Sequence, residues 1–245
     1  MADIAVIVVA AGKGKRFGGK EKKILAKVDG QPMFLRSVQC FIHREDVAET
    51  ILVVAPEDEE SIRDKYGANL GFMGIKLAVG GAERSDSVAA GLERVSEQVA
   101  LVAIHDAARP VVAPEMIDKV FAEARKSGAA ILATPLRGTI KRVSQAGAID
   151  ATLDREGLWE AQTPQVFRRE LIVDAYARRG EMESVPTDDA QLVEVAGHPV
   201  QVVESDLSNL KITCCGDLPL AAAILRHRPK PRPTGSLGAF EEAQW

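Results

Sequence analysis

The chain has 245 residues, of which 46% are apolar and 27% charged, and a formal net charge of −4. That is ordinary for a globular chain with a sizeable core, and the mildly acidic balance argues against wholesale nucleic-acid binding and for a small anionic ligand. Three cysteines, Cys40, Cys214 and Cys215, spell neither a disulfide framework nor a zinc pattern. No apolar run reaches the ~18 residues of a membrane span. The first strand begins within four residues of the start, which leaves no room for a signal peptide, so a reducing cytoplasmic location is expected.

Ile4-Ala5-Val6-Ile7-Val8-Val9 is a short β-branched run that ends at glycines, the pattern of a strand buried on both faces. The loop that leaves it, Ala10-Ala11-Gly12-Lys13-Gly14-Lys15-Arg16-Phe17-Gly18-Gly19-Lys20-Glu21-Lys22-Lys23, holds six basic residues and one acid from Lys13 to Lys23. Glycines let backbone N–H groups approach a ligand, and cations supply charge where a polyphosphate would sit. The end of the first buried strand is also where α/β sheets bind ligands.

Further on, Pro32 opens a helix that places Leu35, Val38, Phe41 and Ile42 on one face. Strands are predicted at 50–55, 75–79, 100–104 and 129–133. Between them lie an acidic helix to about Tyr66, a helix capped by Ser85 or Asp86 that runs to about Val95, and a helix from Pro114 that stops at Gly128. Alternation of this kind predicts a parallel sheet covered on both faces. The rhythm breaks at 139–143 and 151–154, which read as a hairpin projecting from the body around Gln145-Ala146-Gly147. Such an arm packs on a partner rather than on itself, which predicts an oligomer. Helices at 168–179, 187–196 and 217–225 and strands at 200–203 and 210–213 complete a single Rossmann-like domain over 1–228, with a flexible tail over 229–245.

Two nucleotide-binding patterns in the first loop fail. Gly14-Lys15-Arg16-Phe17-Gly18-Gly19-Lys20-Glu21 nearly spells a P-loop, but Glu21 cannot supply the hydroxyl that binds magnesium. Gly12, Gly14 and Gly18 mimic a dinucleotide fingerprint with one extra residue, and no acid stands at the ribose interval of about 20 residues.

Five later stretches complete a constellation: Gly80-Gly81-Ala82-Glu83-Arg84-Ser85-Asp86-Ser87-Val88, Asp106-Ala107-Ala108-Arg109-Pro110, Thr163-Pro164-Gln165, Thr187-Asp188-Asp189-Ala190 and Leu210-Lys211-Ile212-Thr213. The opening loop with Gly30-Gln31-Pro32 resembles sugar-phosphate nucleotidyltransferases. The full set resembles the 2-C-methyl-D-erythritol 4-phosphate cytidylyltransferase family over about residues 4–225. The resemblance implies transfer of CMP from CTP to that polyol phosphate with release of pyrophosphate, in non-mevalonate isoprenoid precursor synthesis, with Mg2+ as cofactor and a homodimer as the working form. A phosphate monoester is largely ionised near neutral pH, so no protein nucleophile or strong base is required; positioning and charge neutralisation suffice.

By the same resemblance, Arg16 and Lys23 are the cations on the α-phosphate and leaving group. Counting seven residues from Arg16, or seven back from Gly30, selects Lys23, while anchoring on a later leucine would select Lys22. Ala10, Ala11, Gly12, Gly14, Gly81, Ala82, Ser87, Asp106 and Ala107 correspond to the nucleotide-binding positions, with Asp106 also the metal ligand. Thr139 and Arg155, on the arm, correspond to groups that hold the substrate phosphate of the neighbouring subunit. Lys211 corresponds to the cation that orients this phosphate, and Arg109 and Thr163 to further substrate positions. Gly138 and Ser208 stand where the family commonly has an acid. This keeps a pentitol phosphate such as ribitol 5-phosphate as an alternative substrate. A catalytically inactive nucleotide-binding homologue is the alternative of another class.

Overall fold

In a computed structural model, which describes residues 2–18, 21–182 and 184–228, β1 (Ile4–Val9) lies inside a seven-stranded sheet. Residues 4–8 have no solvent exposure, as their unbroken apolar run requires. β4 (Val47–Val54) and β6 (Leu101–Asp106) flank β1, both parallel to it, and β5 (Ile75–Val79) forms the edge beyond β4. Past β6 come β10 (Trp159–Arg168), β7 (Ala129–Pro135) and the edge strand β11 (Gln201–Glu204). The sheet is mostly parallel, as expected, with β10 antiparallel to both neighbours.

Strand β10 is absent from the sequence-based assignment. Pro164 interrupts its run, Glu160, Gln162 and Gln165 dilute its apolar content, and its register shifts between Ala161 and Gln165. Proline normally excludes a central strand; the register shift is where this strand accommodates one.

Alternation along β1 sends Ile4, Val6 and Val8 to one core and Ala5 and Ile7 to the other. The first core is covered by α1 (Met33–Gln39), α2 (Pro56–Phe72) and α4 (Pro114–Ser127), with Phe34, Phe41 and Phe121 almost completely buried. Each such side chain contributes about 1.5–3 kcal/mol relative to exposure. The second is covered by α3 (Arg84–Leu92), α5 (Arg169–Ala177) and α6 (Asp189–Val195). A third cluster packs α7 (Asp217–His227) on Phe17, Val28, Met33, Val111 and Ile212, beside the small ribbon of β2 (Lys27–Val28) and β3 (Gln31–Pro32).

Three local expectations are corrected. α2 continues to Phe72 through Gly67 and Gly71, because burial of Leu70 outweighs the low helix propensity of glycine. The N-cap of α3 is Glu83, neither Ser85 nor Asp86; Asp86 instead reaches back and accepts the Glu83 backbone N–H at 3.2 Å. Residues 210–213 are not a strand. That segment is pinned by one backbone bond, Ile212 N–H to Ala108 O at 2.8 Å, and by Arg109 donating to the Asn209 carbonyl at 2.6 Å. Gly128 ends α4 in the left-handed conformation with φ 92°, as the sequence predicts. The expected arm is a separate two-stranded ribbon of β8 (Ile140–Val143) and β9 (Ile149–Leu153), turning at Gly147. The tail over 229–245 lies outside the described residues.

Candidate active site

The parallel register brings the motif-bearing loops together. Val9 pairs with Val53 on one side and with Asp106 on the other, so the loops after β1 and β6 leave the sheet at one edge. Three backbone bonds extend this beyond the strands: Ala10 N–H to Val53 O, Ala107 N–H to Val9 O, and Gly80 N–H to Val54 O. A cleft of about 350 Å³ opens there, at the carboxyl ends of the strands. Ala10, Ala11, Gly12, Lys13, Lys23, Ala82, Ser87, Asp106, Ala107 and Lys211 line it.

The described parts of the basic loop are anchored at both ends. Phe17 is buried in the third apolar cluster, and its carbonyl accepts the Cys215 N–H at 3.1 Å, which fastens the loop to the segment that carries Lys211. Gly14 has φ 58°, and a Cβ there would lie 3.0 Å from the Lys23 Cβ; both the left-handed backbone and the tight approach favour glycine. The adjacent lysines part company. Lys22 pairs with Asp58 and donates to the Glu57 carbonyl at the head of α2, whereas Lys23 is half-buried and faces the cleft. Burial lowers the Lys23 pKa, and the nearby Lys211 and Arg16 charges push the same way against Asp106. A cation cluster that opposes its own charging is stabilised by an anion. Arg16 itself is exposed at the loop, outside the cleft lining.

Asp106 is 7% exposed. Burial would raise its pKa, but the Arg84 and Lys211 charges overturn this and hold it well below the usual carboxylate range. Its Oδ1 accepts from Arg84 Nε at 3.0 Å and its Oδ2 from Lys211 Nζ at 2.5 Å. An ionised carboxylate at the mouth of a phosphate cleft fits Mg2+, which is held by one or two carboxylates together with substrate phosphates. Among the described residues, no three His, Cys, Asp or Glu side chains gather into a self-sufficient metal cage.

A second cleft of about 230 Å³ shares Arg84, Asp106 and Lys211 with the first and adds Arg109, Gln162, Thr163 and Gln165. Behind it runs a buried network. The Thr163 hydroxyl accepts the Asp106 N–H at 3.0 Å and lies 3.1 Å from His105 Nδ1, while His105 Nε2 is 3.0 Å from the Arg109 carbonyl. Only one tautomer satisfies this set. The Thr163 hydroxyl donates to Nδ1, and Nε2–H donates to the carbonyl. Burial pushes the His105 pKa down to about 4, so the ring is neutral and both nitrogens are engaged. Asn209 donates to Gln162 Oε1 and to the Thr163 carbonyl, and Ser205 also donates to Gln162.

The structure gathers most of the sequence-selected residues and separates three. Gly14 shapes the path of Lys23, and Gly81 donates its N–H to the Ser87 hydroxyl at 3.3 Å. That hydroxyl in turn donates to the Glu83 carbonyl at 3.1 Å, so Ser87 also holds its own loop. Thr139 and Arg155, both exposed on the arm, line neither cleft of their own chain, and the Arg155 guanidinium bonds the Arg137 carbonyl. Arg16 is the third. Sequence reasoning missed Arg84, which lines both clefts; its presence inside the Gly-Gly-Ala-Glu-Arg motif was the available signal.

A glycine-rich basic loop facing an ionised carboxylate across a strand-end cleft defines an α/β protein built to hold a polyphosphate. The family model described as 2-C-methyl-D-erythritol 4-phosphate cytidylyltransferase matches residues 4–227. A protein of that name from Rhodopirellula baltica is 46% identical over 91% of this chain and 95% of its own, and one from Alkaliphilus metalliredigens is 40% identical over 92% and 94%. The crystal structure of 2-C-methyl-D-erythritol 4-phosphate cytidylyltransferase from Thermus thermophilus superposes with a TM-score of 0.74 at 32% identity, covering 90% of this chain and 98% of that one. This chain belongs to the 2-C-methyl-D-erythritol 4-phosphate cytidylyltransferase family. Its activity is CTP-dependent cytidylyl transfer to that polyol phosphate, in isoprenoid synthesis.

Proposed function

We propose that the two clefts divide the reaction, with CTP in the first, the polyol phosphate in the second, and Asp106, Lys211 and Arg84 on the wall between them. The observation that carries this reading is the convergence of Lys23, Lys211 and Asp106 on one strand-end cleft that shares Arg84, Asp106 and Lys211 with a second. An oxygen of the substrate phosphate attacks the CTP α-phosphorus, the bond to the bridging oxygen breaks, and pyrophosphate leaves. The attacking phosphate has its second pKa near ~6, so it arrives ionised, and no protein base is needed. His105, the nearest imidazole, is fully buried with both nitrogens engaged, which fits a reaction without one.

In this reading Lys23 and Arg16 neutralise charge on the α-phosphate and leaving group, and Lys211 orients the attacking phosphate. Ala10, Ala11, Gly12, Ala82 and Ala107 form a floor of small residues for the cytosine and ribose, with Gly81 and Ser87 setting its shape. Asp106 would hold Mg2+, which supplies charge neutralisation to the triphosphate when bound. Arg109 and Thr163 lie on the polyol side, where both line the second cleft.

The working form in this reading is a homodimer in which Thr139 and Arg155 complete the partner's site. The arm pairs only within itself in the sheet arrangement of the described residues, and it leaves Val143 54% and Ile149 64% exposed. Three free cysteines fit a reducing cytoplasm, and no described helix is long and apolar enough to cross a membrane. The test is pyrophosphate release from CTP against 2-C-methyl-D-erythritol 4-phosphate and ribitol 5-phosphate. Turnover confined to the first supports the reading. Arg109→Ala should raise KM for the polyol phosphate and spare that for CTP, and equal effects on both would overturn the division of the clefts.

A further inference from the structure

Behind the wall between the two clefts lies an acid outside every role assigned above. Asp189, in the first turn of α6, has no solvent exposure. A carboxylate taken out of water costs several kcal/mol unless it is well paired, and three donors meet this one. Its Oδ1 accepts from Arg84 Nη1 at 3.0 Å and from the Tyr176 hydroxyl at 2.5 Å, while its Oδ2 accepts from Arg84 Nη2 at 2.7 Å. The Gln165 side chain braces it from β10, accepting the backbone N–H groups of Asp189 and Ala190 at 3.0 Å and donating to Asp188 at 2.8 Å. Strand β10 and helices α5 and α6 thus meet at one carboxylate. What this carboxylate grips is the guanidinium whose Nε–H bonds Asp106 Oδ1.

A two-point grip fixes the plane of a guanidinium, which a single hydrogen bond cannot do. With the plane fixed, the Nε–H direction is fixed, and so is the Asp106 carboxylate. We propose that Asp189 is a positioning residue for cytidylyl transfer: it locks Arg84, and Arg84 holds Asp106 by one oxygen with the other turned to Lys211 and the cleft. The inference rests on the role given to Asp106 above. It extends the site by a layer, because Arg84 lines both clefts and a loose Arg84 disturbs both.

The test uses Asp189→Asn, Arg84→Lys, the double variant and Tyr176→Phe in the full chain, with Asp106→Asn as the reference. Measurements are kcat, KM for each substrate and the thermal midpoint. Asp189→Asn and Arg84→Lys are each expected to lower kcat by roughly 100-fold, the cost of a small misplacement in a site, while remaining folded. The double variant should be no worse than the worse single, because the pair acts as one unit. With assays run well below each thermal midpoint, the loss should fall on kcat while KM for each substrate changes by only a few-fold. Tyr176→Phe keeps the two-point grip and should lose only a few-fold.

A folded Asp189→Asn enzyme with wild-type kcat overturns the proposal, as do additive losses in the double variant. If Asp189→Asn does not fold, wild-type kcat in Arg84→Lys overturns it instead. An inactive Asp106→Asn beside a normal Asp189→Asn removes this inference alone, whereas a fully active Asp106→Asn removes the role of Asp106 and the inference with it.

Discussion

At the end of the basic loop, the Lys22 ammonium reaches Asp58 and the Glu57 carbonyl, while its neighbour Lys23 turns into the cleft beside Lys211 and Asp106. The two side chains are chemically identical and one residue apart, so their different surroundings make a controlled comparison. Lys22→Ala removes a pair that is half-exposed on the lysine side, worth about 1 kcal/mol or less, and kcat should stay near wild type. In the proposed mechanism Lys23→Ala removes a donor to the α-phosphate, and kcat should fall by roughly 100- to 1,000-fold, the usual cost of such a loss, with little change in thermal midpoint. Single-turnover pyrophosphate release by the two variants checks both outcomes. The reverse pattern would give the catalytic role to Lys22.

Among the elements, the arm of β8 and β9 presents its problem most directly. A two-stranded ribbon is at best marginally stable alone in water, and this one leaves Val143 and Ile149 exposed. In the proposed homodimer, packing on a second copy would cover them and bring Arg155 to the partner's site. Val143→Asp with Ile149→Asp should therefore lower both the sedimentation mass and the activity. Co-expression of a Lys23→Ala chain with an Arg155→Ala chain gives a sharper result. In a mixed dimer one site carries both lesions and the other carries none, so an equal mixture should recover about a quarter of wild-type turnover if subunits share sites. No recovery in purified mixed dimers would place Arg155 outside the partner's site. This arm was legible in sequence because its strands are short, polar and turn at a glycine. The opening loop was legible because glycines and cations punctuate a buried strand. Strand β10 was not, since its proline contradicts the local signal that its neighbours override, and neither was the hold of Asp189 on Arg84, which joins residues 105 positions apart. Periodicity reports what a residue's own element does, and it is silent about a pair closed only by tertiary packing.

Across the molecule, the carboxyl ends of β1 and β6 serve both the core and the chemistry, and His105 is where the two demands meet. Its ring packs edge-on against Phe41 at 5.1 Å between centroids, inside the first core, while its nitrogens hold Thr163 and the Arg109 carbonyl behind Asp106. In the unfolded chain this histidine protonates near ~6.5, but in the folded chain only near about 4, because burial disfavours the cation. Between those values the unfolded state binds the extra proton, so stability falls as pH drops from 6.5 towards 4. The stabilisation is complete above the unfolded value and amounts to about 3 kcal/mol at most. Asp106 does not contribute in that window; its depressed pKa matters only below the ordinary carboxylate range. Urea unfolding measured from pH 7 down to pH 4.5 should show a steady loss of stability for the wild type. His105→Gln should be less stable at pH 7, where it forfeits the ring's packing on Phe41, and should show a flatter slope through the same range. Equal slopes for the two proteins would mean that another group carries the acid lability, and that the buried imidazole is not what ties the site to the stability of the sheet.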